Sequence, residues 1–140
     1  MPTNQLNIPT GTSPEDIRQR KEIILSFYHD WKEAHPEHRV YNTSLKEYIY
    51  VKHISLSETA THASKNFWST LAVMQLDSIL RCANKVSYKK VKENSAQSKF
   101  RAMIVMEHNL PAIGLVKLTV GVEHKSLIKV QYCITALEVQ

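Results

Sequence analysis

The sequence predicts an α+β fold, with two main helical regions packed on a mostly antiparallel sheet of four or more strands. Three observations carry it: a capped amphipathic segment opens at Ser13, an aromatic, β-branched run at 48–54 sits between helical stretches, and period-two alternation runs through the last third of the chain.

Residues 1–12 are rich in Asn, Thr, Pro and Gly without any period, which predicts a mobile or loosely docked tail before a single domain over 13–140. Ser13-Pro14-Glu15-Asp16 then reads as a helix start, with Ser at the N-cap, Pro at the first helical position and acids where the helix dipole favours them. This helix is expected to run to about Ala34, where His35-Pro36 ends it. Ile17, Ile24, Tyr28 and Trp31, helped by Leu25 and Phe27, form its apolar stripe.

The run at 48–54 is too short for an independent helix and suits a strand. Directly after it, Ser55-Leu56-Ser57-Glu58 has the capping-box pattern, so a helical region over 56–83 is expected, with a break near Asn66 and a stop at Asn84. Residues 86–98 are Lys, Ser, Asn, Gln and Glu without an apolar face and read as an exposed loop.

Three strands follow, over 101–107, 115–124 and 128–139, as a meander. Asn109-Leu110-Pro111 turns the chain once, and Gly114 lets the second strand enter. In the last hairpin a three-residue loop would set Val122 opposite Val130, Val120 opposite Tyr132, Leu118 opposite Ile134 and Val116 opposite Ala136, keeping one face apolar. It would also pair Glu123 with Lys129 and collect Lys117, Thr119, Gln131 and Thr135 on the polar face.

Composition narrows the function. Only three glycines occur and none forms a phosphate-cradling loop, which argues against a dinucleotide or nucleoside-triphosphate site. Cys82 and Cys133 fit no metal spacing and read as two reduced thiols of a cytoplasmic protein. His35 and His38 have a loose ligand spacing, but no cysteine or paired carboxylate joins them in a zinc pattern, so no metal and no cofactor is expected. Neither a signal-peptide pattern nor an apolar run of membrane-spanning length is present, so no membrane partner is expected.

The formal net charge is +5, and it is concentrated: Arg81, Lys85, Lys89, Lys90, Lys92, Lys99 and Arg101 face a single acid, Glu93, in one short segment. Such a strip either solubilises a loop or neutralises phosphates of RNA or single-stranded DNA, with Tyr88 available for stacking. His53 and His62 flank the strand-to-helix junction and are of the residue type that moves protons near neutral pH. Lys117, Thr119 and Thr135 could hold a phosphate beside them.

The order of elements, together with the segments Leu115-Val116-Lys117-Leu118-Thr119-Val120 and Val130-Gln131-Tyr132-Cys133-Ile134-Thr135, resembles the compact nuclease superfamily of barnase, EndoU, colicin and RelE toxin domains, and small uncharacterised proteins of bacterial mobile elements. No motif of that superfamily matches residue for residue. The resemblance implies a domain that binds or processes nucleic acid, as a metal-independent ribonuclease; its working residues, His53 or His62, Lys117, Thr119 and Thr135, are named from their chemistry and not from the resemblance. The competing expectation is a non-catalytic immunity or accessory module that binds a protein partner through a strand edge or through the helix holding Trp31.

Overall fold

The computed structural model describes residues 7–137. The first half of the expected tail and the end of the last expected strand lie outside them. The fold is α+β, with four helices and a six-stranded, mostly antiparallel sheet among the described residues. Helix α1 spans Pro14–Ala34, strands β1 and β2 span Arg39–Asn42 and Glu47–Tyr50, and helices α2, α3 and α4 span His53–Ala63, Phe67–Val73 and Leu76–Cys82. Strands β3 to β6 span Asn84–Lys90, Phe100–Leu110, Gly114–Glu123 and Lys129–Ala136, and the sheet order is β1-β2-β6-β5-β4-β3.

Helix α1 starts as its sequence predicts, with the Ser13 hydroxyl accepting from the Asp16 amide at 3.1 Å. Its buried stripe is Arg20, Ile24, Tyr28 and Trp31, so a cation stands where the helical period calls for an apolar side chain. Residues 9 and 11 are tied down by it: the Pro9 and Gly11 carbonyls accept from the Arg20 guanidinium at 2.8 and 2.7 Å. Trp31 is buried, and its indole donates to Asp77 Oδ1 at 2.7 Å.

The expected strand at 48–54 stops at Tyr50, because Lys52 is already the N-cap of α2. Ser55 works at the third helical position rather than at the cap, its hydroxyl accepting from the Lys52 amide at 3.0 Å. The helical region expected over 56–83 is three short helices. Asn66, where a break is expected, caps α3 by accepting from the Ser69 amide at 2.7 Å. Strand β1 has no counterpart in the sequence reading. Its Asn42 is buried and donates to the Leu80 and Ala83 carbonyls at 2.8 and 3.0 Å, pinning the β1–β2 hairpin to the end of α4.

The largest correction is at 86–98: instead of a loop throughout, the chain forms β3 and pairs antiparallel with β4, with a bulge at Val86. Every residue of β3 is exposed, so the strand is held by backbone bonds at a sheet edge.

Within the last hairpin, Val116 opposite Ala136 and Leu118 opposite Ile134 are as expected, and then a β-bulge between Thr119 and Val120 shifts the register. Val120 therefore faces Gln131, Gly121 faces Val130 and Val122 faces Lys129. Glu123 and Lys129 do not pair with each other: Glu123 binds Lys52 at 2.7 Å, and Lys129 binds Glu47 at 2.9 Å. Gln131 is not on the polar face either. It is fully buried, accepting from the Tyr28 hydroxyl and donating to Thr59 Oγ1, each at 2.8 Å.

The main core lies between the helices and one sheet face, uniting Ile24, Tyr28, Leu76, Ile79 and Leu80 with Ile104, Met106, Leu118, Val120 and Ile134. Strand β2 meets β6 only at Ile49 with Lys129 and Tyr50 with Val130. Beyond that point helices cover the β6 edge. Ser55 donates to the Gln131 carbonyl, Thr59 donates to the Tyr132 carbonyl at 3.5 Å, and the Ser69 hydroxyl accepts from the Ala136 amide at 2.8 Å. A helix edge of Ser and Thr thus replaces a neighbouring strand, and α2 reaches the other sheet face.

Candidate nucleic-acid interface and the open sheet face

The face turned away from the main core can be read row by row, because residues directly opposite one another on paired strands share a side. One row runs Asn84, Glu107, Lys117, Thr135, and the next runs Ser87, Val105, Thr119, Cys133. A third runs Lys89, Met103, Gly121, Val130. That third row floors a small second core in which Phe100, Met103 and Val130 are buried against Ile54, Val91, Ile128 and Tyr132. Gly121 is required there, since a Cβ at this position would lie 2.5 Å from the Phe100 ring.

His62, Lys117, Thr119 and Thr135 come together: with Gln97, Tyr132 and Cys133 they line one shallow cavity of about 260 Å³ on this face. His62 Nε2 lies 3.4 Å from Glu58 Oε1, one helical turn back. Thr119 is already engaged, its hydroxyl accepting from the Cys133 amide at 3.1 Å and donating to the Cys133 carbonyl at 3.3 Å. It stitches the strands beside the bulge, which leaves Thr135 as the threonine better placed to meet a ligand. Lys117 faces Glu107 across the β4–β5 ladder without closing an ion pair.

Burial pushes the Cys133 thiol up to about 11, and the nearby Glu58 carboxylate adds to the shift. Protonated at neutral pH, it is not a nucleophile. Burial also raises the Tyr132 phenol, again with Glu58 contributing. Glu58, Gln97, Tyr132 and Cys133 were not expected at this site from the sequence. The bulge turns Tyr132 to this face, Cys133 stands opposite Thr119 as the expected register has it, and only the way α2 hugs β6 brings Glu58 there.

His53 is not part of this group. It stands at the first turn of α2, about 13 Å of helical rise from His62, and lines a separate cleft with Lys52, Lys99, His124 and Lys125.

All seven residues of the basic strip are exposed, and none forms an ion pair among the described residues. Arg81 sits in the last turn of α4, Lys85, Lys89 and Lys90 on β3, Lys92 and Lys99 in the connection to β4, and Arg101 on β4. Lys85, Tyr88 and Lys90 share one side of the edge strand, and the Lys85 ammonium lies 5.6 Å from the centre of the Tyr88 ring. Lys89 points to the open face. There a second cavity, also about 260 Å³, is lined by Lys89, Lys90, Val91, Lys92, Ser95, Gln97 and Met103. Gln97 lines both cavities, so the basic edge and the His62 cavity adjoin.

The loose His35–His38 spacing does not become a metal cluster: His35 stacks on Trp31 and faces Asp77 at 3.3 Å. Among the described residues, His29, Asp30 and Glu33 are near enough to share an ion, but all three are exposed on α1. No helix of the described residues is long and apolar enough to cross a membrane. No protein-family model, curated protein or solved structure matches this chain.

Proposed function

We propose that this chain binds single-stranded nucleic acid along the β3 edge and the open sheet face. The observation that carries the reading is the adjacency just described: unpaired lysines on an edge strand border a polar face, with Gln97 on the boundary. Flexible lysines neutralise successive phosphates without fixed geometry, and Tyr88 offers a ring for a base to stack on.

The test is the salt dependence of oligonucleotide affinity. If five phosphates are neutralised, the single-strand slope is about −3.5 per decade of salt, roughly a hundredfold loss between 50 and 200 mM. A Lys89→Ala, Lys90→Ala variant should bind more weakly and with a shallower slope. Absence of binding at low salt would remove the reading.

A ribonuclease activity is the second reading, favoured by the convergence of His62, Lys117 and Thr135 on one cavity. In it, an imidazole nitrogen of His62 takes the proton of a ribose 2′-hydroxyl as that oxygen attacks the neighbouring phosphorus. The 5′-oxygen leaves with a proton from water and a cyclic phosphate remains, while Lys117 offsets the charge of the phosphorane and Thr135 orients it. The nuclease-superfamily resemblance belongs to this second reading. Cleavage of RNA in chelator by the wild type and its loss in His62→Ala, with binding retained, is the expected outcome. Equal background in both proteins rejects the activity and leaves the binding reading intact.

A further inference from the structure

A further cluster of cationic and imidazole side chains, sharing only Lys99 with the basic strip, lies at the other end of the open face. Lys52 and His53 at the start of α2, Lys99 before β4, and His124, Lys125 and Ser126 in the β5–β6 turn line one cleft of about 690 Å³. Three segments far apart in sequence supply them, so the clustering is a product of the fold. The floor is apolar, made by Ile54, Phe100 and Val130.

One acid, Glu123, lines the cleft, and both of its oxygens are engaged. Oε2 accepts from Lys52 Nζ at 2.7 Å, and Oε1 accepts from the Ser126 hydroxyl at 2.7 Å. Lysine and serine together hold its carboxyl below the ordinary range. Lys52 is therefore neutralised within the wall, while Lys99 and Lys125 form no ion pair among the described residues. The His124 ring is oriented by the Ser98 carbonyl at 3.0 Å, which joins the β5–β6 turn to the segment carrying Lys99.

A wall with two unneutralised ammonium groups and two imidazoles above an apolar floor suits a compact anion carried on a planar, weakly polar body. We propose that this cleft binds a phosphate monoester of a nucleotide, with Lys99 and Lys125 on the phosphate and the base over the apolar floor. Two sources share that chemistry: the phosphorylated end of a strand and a free mononucleotide. The first source rests on the nucleic-acid reading above, and the second does not.

The experiment compares 5′-phosphorylated and 5′-hydroxyl forms of one short oligonucleotide by fluorescence anisotropy. In parallel, adenosine monophosphate and adenosine are titrated while the His53 and His124 imidazole resonances are followed by NMR. For a strand end, the phosphorylated form binds about tenfold tighter, the scale of two solvent-exposed ion pairs. In Lys125→Glu, an exposed turn position outside the basic strip, that ratio falls to about one. Lys89→Ala with Lys90→Ala weakens both oligonucleotides and preserves the ratio.

Equal oligonucleotide affinities, or none, with both imidazoles moved by the monophosphate but not by adenosine, identify the free nucleotide as the ligand. Complete absence of oligonucleotide binding with that same response ends the nucleic-acid reading and leaves the cleft assignment standing. A monophosphate that moves neither imidazole at millimolar concentration, together with no preference for the phosphorylated strand, overturns the proposal. An equal response to adenosine and its monophosphate, again without that preference, overturns it as well.

Discussion

Arg20 occupies a stripe position that α1 would ordinarily fill with an apolar side chain, and it is fully buried with no carboxylate partner among the described residues. Carbonyls hold the charge instead. Nε donates to Ser64 O at 2.7 Å, Nη1 to Pro9 O and Gly11 O, and Nη2 to Lys65 O at 3.4 Å. The fork therefore joins the segment before α1 to the α2–α3 junction. Replacing it by methionine keeps the volume and strips four carbonyls of their donor, for an expected loss of about 3 kcal/mol. Lysine keeps the charge but offers donors from a single point, so Arg20→Lys should recover less than half of that loss. Urea midpoints of the two variants decide it, and a lysine variant as stable as the wild type would show that fork geometry is irrelevant.

The chain Tyr28 to Gln131 to Thr59 is the second buried polar device, and burial raises the Tyr28 phenol well above its ordinary range. Gln131→Leu leaves the tyrosine hydroxyl without its acceptor, at about 1–3 kcal/mol. Adding Tyr28→Phe should then cost less than its single-variant value, because the group that was orphaned is removed. Strict additivity of the two substitutions would mean that the hydrogen bond contributes nothing.

At the scale of elements, β3 shows what periodicity misses. All seven of its residues are exposed, so there is no alternation to detect, and the strand exists because β4 presents a free edge to pair with. Its lysines guard that edge, since a strand carrying exposed Val86 and Tyr88 would otherwise invite pairing with another chain. Changing Lys85, Lys89 and Lys90 together to alanine should leave stability within about 0.5 kcal/mol. Sedimentation should reveal new concentration-dependent association, and unchanged sedimentation would show that the lysines do not guard the edge.

The meander was legible because Val116, Leu118 and Ile134 bury every second side chain, and α1 because Ser13 and Pro14 mark its start. Strand β1 was not, since it is four residues long and its core side is one valine, Val40, and a buried polar residue, Asn42. Legibility of the site divides in the same way. His62, Lys117 and Thr135 were readable as residue types on expected faces. The engagement of Thr119, the burial of Gln131 and the removal of His53 to another cleft all depend on one bulge and on where α2 lies, and neither leaves a mark in local sequence.

For the molecule as a whole, Glu123 couples stability to the charge of the proposed phosphate cleft. Its bond to Lys52 ties the start of α2 to the far end of β5, and its carboxyl titrates below the ordinary 4.5 because Lys52, then Ser126, stabilises the anion. A depressed carboxyl contributes stability that is fully present above the unfolded-state value and is lost as pH falls through the lower folded-state one. The pair is partly solvated, so the contribution is at most about 1 kcal/mol. Glu123→Gln should therefore be less stable than the wild type at neutral pH, and the gap should close in acid below the ordinary carboxylate range. The same substitution releases Lys52 from its partner and adds a free ammonium group to the cleft wall. Affinity for the 5′-phosphorylated oligonucleotide should then rise while thermal stability at neutral pH falls. Opposite signs in the two measurements separate this coupling from general damage, which would lower both, and an unchanged affinity would show that Lys52 does not face the bound phosphate.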